Sequence, residues 1–189
     1  MAEQFDDLSD AHAAWLLSQK IMFTGTAAQD GRVNVSPRPT DVLRVMGRNR
    51  IGYLDFVGSG FETAAHVRAT GRMTVMACAF EAAPRIMRLY GQGTVHHAEG
   101  ESFAALLDDH WDGNAPHYAR AIVTLDIEML QTSCGYGVPL FTYDGERDTL
   151  PRWAEKRRGA ALKQYRRDKN SRSIDGYDTG LILPKNQEA

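Results

Sequence analysis

The stretch Leu54–His66, LDFVGSGFETAAH, joins an apolar strand to a helix start through Gly58-Ser59-Gly60. That strand, Ile51–Phe56, follows Val42–Met46 across the turn Gly47-Arg48-Asn49, so it belongs to a hairpin. This context limits the fold more than any other feature of the chain. A strand that enters a glycine loop and then a helix also suits a doubly wound sheet, but there the strands are parallel and alternate with helices. Gly58-x-Gly60-x-x-Thr63 has Thr63 where the dinucleotide fingerprint has its third glycine. On both counts a Rossmann domain is rejected. What stays is a candidate phosphate cradle. Glycines let main-chain N–H groups turn inward, and a first helical turn adds free donors and the positive end of the helix dipole. A plain strand-to-helix turn reads the same residues equally well.

The other segments repeat the hairpin theme. Ala11–Lys20 reads as a short amphipathic helix capped by Ser9 or Asp10. Ile21–Ala28 and Val33–Ser36 are strands joined by a tight Asp30-Gly31 turn, with Pro37 and Pro39 ending the pairing. Glu62–Thr70 is a helix that stops at Gly71. Met73–Phe80 is apolar on both faces, as a central strand is. Arg85–His97 is a long strand in which Gly91 and Gly93 mark a bulge or a close backbone approach. Glu101–His110 is helical, Ile122–Gln131 alternates as a half-buried strand, and Leu150–Tyr165 is a helix with Pro151 in its first turn. Strands in hairpins with few helices predict a mainly β protein with flanking helices (α+β), built on a closed or partly closed antiparallel barrel.

Three groups of side chains are candidates for chemistry beside the glycine loop. Arg32-x-Asn34-x-Ser36-x-Arg38 has the period of a strand, so its two cations and two neutral polar groups share one face and form an anion-binding row. A solvated edge strand would look the same. Gln131–Pro139, QTSCGYGVP, has the small and aromatic residues that lie well against a flat ring. Cys134 in that loop would need a base to act as a nucleophile, and His96, His97 and His117 are not tied to it by sequence. Cys78 reads as a small buried hydrophobe. His96 and His97 point to opposite faces, and no histidine or cysteine spacing matches a zinc site.

Composition sets the remaining bounds. A net charge of −2 does not predict a nucleic-acid binder, although Arg152–Arg172 carries nine Lys or Arg against Glu155 and Asp168. That basic helix reads as solvated or docked on a partner subunit, with a direct ligand role for one or two of its arginines left open. No apolar run reaches the ~18 residues of a membrane span. The acidic start, MAEQFDDLSD, lacks the pattern of a signal peptide, so a cytoplasmic protein is expected.

NVSPR at 34–38, YLD at 53–55, GSGFETAAH at 58–66, PRIMRLYGQG at 84–93, TSCGYGVP at 132–139 and SIDG at 173–176 together resemble the pyridoxamine 5′-phosphate oxidase-related, FMN-binding split-barrel proteins. The resemblance implies a six-stranded antiparallel split β-barrel over 1–145, with 146–189 a basic helix and tail packing on the barrel or a partner. It implies a homodimer that holds FMN at the subunit interface. Ser36, Arg38, Ser59, Glu62 and Thr63 would hold the phosphate. The ring would rest near Leu54, Asp55 and the strand bearing Arg85 and Arg88. Ser133, Cys134 and Tyr136 would come from the partner subunit. The pattern departs where true pyridoxamine phosphate oxidases carry an Arg-Lys pair: this chain has Phe61-Glu62-Thr63. The expectation is therefore an FMN-dependent oxidoreductase, acting on a small substrate or a nicotinamide reductant, that does not oxidise vitamin B6. The alternative is a non-enzymatic flavin, deazaflavin or haem carrier on the same barrel.

Overall fold

The computed structural model describes residues 2–181. Its longest strand, β8 (Ala119–Ser133), organises the sheet. Alternation turns Val123, Leu125 and Ile127 into the core and leaves Asp126 and Glu128 exposed. One edge of β8 pairs along its length with β7 (Ile86–His97). The other edge takes β5 (Arg50–Phe56) as far as Asp126 and then β1 (Glu3–Phe5) at Leu130–Thr132. Beyond β7 come β6 (Arg72–Cys78), β2 (Ile21–Thr26) and β3 (Asn34–Pro39), and β4 (Leu43–Gly47) flanks β5. Every pair is antiparallel. The sheet curls into a half-barrel until Arg38 on the margin strand β3 meets Asp55 on β5 at 2.6 Å. Tyr53, Ile51, Met22, Leu89, Ile122 and Leu130 fill its interior, each such side chain contributing about 1.5–3 kcal/mol on burial.

Five helices flank the sheet: α1 (Asp10–Ser18), α2 (Glu62–Thr70), α3 (Glu101–Trp111), α4 (Thr149–Glu155) and α5 (Ala160–Asn170). Ser9 caps α1 by accepting the His12 N–H at 3.2 Å. α2 ends as predicted, with Gly71 in the left-handed region at φ 71°. It buries Ala64, Ala65, His66 and Val67 against the barrel. Gly93 permits that approach, since a Cβ there would stand 3.0 Å from Val67. Among the described residues, no helix is long and apolar enough to cross a membrane.

Four expectations need correction. Among the described residues the sheet has eight strands rather than six: seven run in one path, and β1 adds an eighth where β8 outruns β5. Pro37 and Pro39 do not break the pairing, which runs on to Pro39, the last residue of β3. They pair with Phe23 and Ile21 on a strand at the sheet margin, where an absent N–H can face solvent. The Asp30-Gly31 turn is not tight: residues 27–33 connect the strands, and the Arg32 N–H bonds to Asp175 in the C-terminal segment. The helix expected over Leu150–Tyr165 is two, broken at Gly159, whose φ is 57°. The final stretch of the basic tail, 182–189, lies outside the described residues.

The bulge read from Gly91 is real: the β7–β8 register shifts between Tyr90 and Gly91. A Cβ at Gly91 would land on the Asp126 carbonyl oxygen. Gly91→Ala should therefore destabilise the fold by about 1–3 kcal/mol, as other overpacking does, read as a lower denaturant midpoint at unchanged slope.

Candidate functional site

β5 ends in Leu54-Asp55-Phe56, and the chain then runs through Val57-Gly58-Ser59-Gly60 into α2. α2 starts at Phe61 (φ −139°, ψ 45°) with no side-chain cap, so its first N–H groups are open to a ligand. β3 faces this corner with Asn34, Ser36 and Arg38, and Pro37 and Pro39 also touch the cleft, while Val35 and the preceding Val33 are exposed outside it. The period-two row thus holds for three of its four members. Arg32 instead binds Asp175. The row is preset by its own bonds: Ser36 Oγ donates to Asn34 Oδ1 at 3.2 Å, and Asn34 Nδ2 donates to Thr63 Oγ1 at 3.4 Å. Together these residues line one wall of a cleft of about 750 Å³. Leu150, Asp168, Lys169, Arg172, Ser173 and Ile174 form the facing wall.

Beneath the barrel wall lies an ion cluster that sequence reading missed in part. Asp55 is fully buried and does not line the cleft. It binds Arg38 Nη1 through Oδ1 and Arg120 Nε through Oδ2, both at 2.6 Å. Arg120 also donates to the Gly60 carbonyl at 2.7 Å, with its guanidinium 3.9 Å above the Phe61 ring. Burial pulls Arg120 below its ordinary value, and the Asp55 carboxylate opposes that. At Arg38 burial pulls the same way, but the attraction of Asp55 together with Tyr53 outweighs it, so Arg38 is held above its ordinary value. Burial pushes the neighbouring Tyr53 phenol up to about 12, so it stays neutral. Arg38 Nε has no hydrogen-bond partner among the described residues. No motif marks Arg120. Its only sequence signal is a cation at the start of an apolar strand.

Glu62, the acid in the loop, faces the C-terminal segment. Both of its oxygens accept the Ile174 N–H at 3.1 Å. Asn170 Nδ2 donates to the Gly58 carbonyl at 2.9 Å. Farther along, Tyr177 donates to the Asp30 carbonyl, and Thr179 Oγ1 donates to the Asn170 carbonyl at 2.6 Å. Arg166 on α5 holds Glu99 through two contacts of 2.6 and 3.1 Å.

Seven of the sequence candidates therefore gather here: Ser36, Arg38, Leu54, Ser59, Glu62 and Thr63 at the cleft and Asp55 behind it. The other five do not line the cleft. Arg88 donates to Ser133 at 3.3 Å, far along β8 from Arg120. Arg85 lies over the Trp15 ring. Cys134 and Tyr136 are exposed, the latter by 83%. Cys78 is buried as read.

A family model described as pyridoxamine 5′-phosphate oxidase matches residues 8–134. A curated relative, the pyridoxamine 5′-phosphate oxidase family protein ustO of Aspergillus flavus, is 39% identical over 91% of this chain and 75% of its own. Among solved structures, HupZ of Group A Streptococcus superposes with a TM-score of 0.52 at 15% identity, covering 64% of this chain and 90% of that one. A putative pyridoxamine 5′-phosphate oxidase from Lactobacillus delbrueckii superposes with a TM-score of 0.50 at 17% identity, covering 67% and 94%. At these identities the two structures speak for the fold alone.

The ion cluster sets one expected outcome. Asp55→Ala leaves two buried guanidiniums facing each other and should cost about 3–5 kcal/mol, measured by chemical denaturation. A second concerns pH. Burial holds His96 and His97 below the ordinary histidine range. The unfolded chain therefore takes up protons first, so the stability tied to these neutral rings is complete above about pH 6.5 and is lost as pH falls below it. Melting temperature should drop between about pH 7.5 and about pH 5.5, and His97→Gln should flatten that drop.

Proposed function

The chain belongs to the pyridoxamine 5′-phosphate oxidase family, and from that premise we propose that it is a flavoprotein holding FMN in this cleft. The observation that carries the reading is the uncapped start of α2 beside Gly58-Ser59-Gly60, on the same wall of the cleft as Arg38. Free N–H donors, a helix dipole and a guanidinium at the cleft suit a phosphate monoester. The Ser36, Ser59 and Thr63 hydroxyls would add hydrogen bonds. Leu54, Phe56 and Leu150 offer apolar surface for a flat ring. Asp55 acts from behind, fixing Arg38 and, through Arg120, the carbonyl of Gly60.

A bound flavin supplies hydride or electron transfer, and we propose an oxidoreductase using a small substrate or a nicotinamide nucleotide. Haem fits less well: among the described residues lining the cleft, none is His, Cys, Met or Tyr to serve as axial ligand. Vitamin B6 oxidation is not proposed, because Glu62 stands where the namesake enzymes carry a cation. The reading extends to a homodimer in which Arg85, Arg88, Ser133, Cys134 and Tyr136 reach the ligand of the neighbouring copy. Exposed Val33, Val35, Leu140 and Phe141 are apolar surface that such a contact would cover.

The test is reconstitution. Protein mixed with FMN and freed of excess should show a bound-flavin spectrum at one flavin per chain. A chain that stays colourless overturns the reading. Arg38→Ala should weaken FMN binding by about 10- to 100-fold, the worth of a charge-assisted contact. Anaerobic bleaching by a nicotinamide nucleotide supports the oxidoreductase. A loaded protein that no reductant or acceptor turns over is a carrier.

A further inference from the structure

The barrel wall of the cleft carries Arg38, Arg120 and Glu62, and Asp55, buried behind it, pairs with both arginines. Its charges cancel. A phosphate monoester brings about −1.5 to −2 at neutral pH, and the Glu62 carboxylate repels it. The facing wall is different. Lys169 and Arg172 stand there against Asp168, and among the described residues neither cation is in an ion pair. We propose that these two residues, on the C-terminal segment, supply the positive charge that holds the phosphate, in place of a cation on the Gly58–Thr63 loop. The proposal rests on the reading that the cleft takes a phosphorylated flavin.

The hydrogen bonds of the segment support this placement. Asn170 is tied to Gly58 and Ile174 to Glu62, so the two anchors bracket Ser59-Gly60. Lys169 precedes the first anchor and Arg172 lies between them. Arg172 Nη1 donates to the Gly176 carbonyl at 2.9 Å, which steadies the side chain and leaves its other N–H groups for a ligand. The segment is fixed again where Asp175 accepts the Arg32 N–H at 2.7 Å. Glu62 then has a role that a loop cation could not fill. It accepts a main-chain N–H and thereby positions the segment that carries the cations. The segment is thus docked before a ligand arrives, and phosphate recognition belongs to it as much as to the barrel.

The experiment compares FMN with riboflavin, which lacks only the phosphate, by quenching of flavin fluorescence. The wild-type chain should prefer FMN. K169A/R172A should weaken FMN by at least about tenfold and leave riboflavin unchanged, with an unaltered melting temperature for the free protein. K169Q/R172Q, which keeps polar side chains at both positions, should lose as much, because charge is what matters. A wild-type preference for FMN that survives in both variants overturns the proposal and leaves FMN binding intact. A wild-type chain that binds neither flavin overturns the reading beneath it as well.

Discussion

One buried carboxylate joins the parts of this protein that sequence keeps apart. Asp55 on β5 is fully buried between Arg38 on β3 and Arg120 on β8. β3 and β5 are far apart in the sheet order, so the contact exists only because the sheet curls. Removing a charge from water is costly, and here each carboxylate oxygen stands 2.6 Å from a guanidinium nitrogen whose attraction opposes that cost. The same cluster reaches the surface. Arg120 holds the Gly60 carbonyl, and Arg38 presents its remaining face to the cleft. Barrel closure and loop geometry therefore share a cause.

The cleft has two walls of different origin. The barrel wall is rigid, made of strand ends and a helix start held by hydrogen bonds among Asn34, Ser36 and Thr63. The other wall is the C-terminal segment, held mainly by polar ties to Asp30, Arg32, Gly58 and Glu62. Asn170, Ser173 and Thr179 of this wall are buried, while Ile174 is 72% exposed.

Much of the fold was legible because its signals are local. Gly71 ends α2, Gly91 marks the bulge in β7, and the alternation of β8 separates core from solvent. The misses arise where a distant residue overrides local preference. Pro37 and Pro39 normally stop a strand, but a margin position removes the penalty. The Asp-Gly turn opens because its N–H partner is Asp175, far along the chain. Arg120 escaped notice because a single cation at a strand start is silent until its partner is known.

The sequence by itself determined that hairpin strands would build a mainly antiparallel β protein, that a glycine loop would enter a helix beside a polar strand face, and that an acid would sit in that loop. Periodicity and glycine placement carry such information because they act over a few residues. Only the tertiary structure decided which charges meet. It set Asp55 between two arginines, turned Glu62 to the Ile174 N–H, and laid Lys169 and Arg172 along the cleft. Electrostatic partners are chosen by distance in space, and distance between residues well separated along the chain is a property of the folded chain.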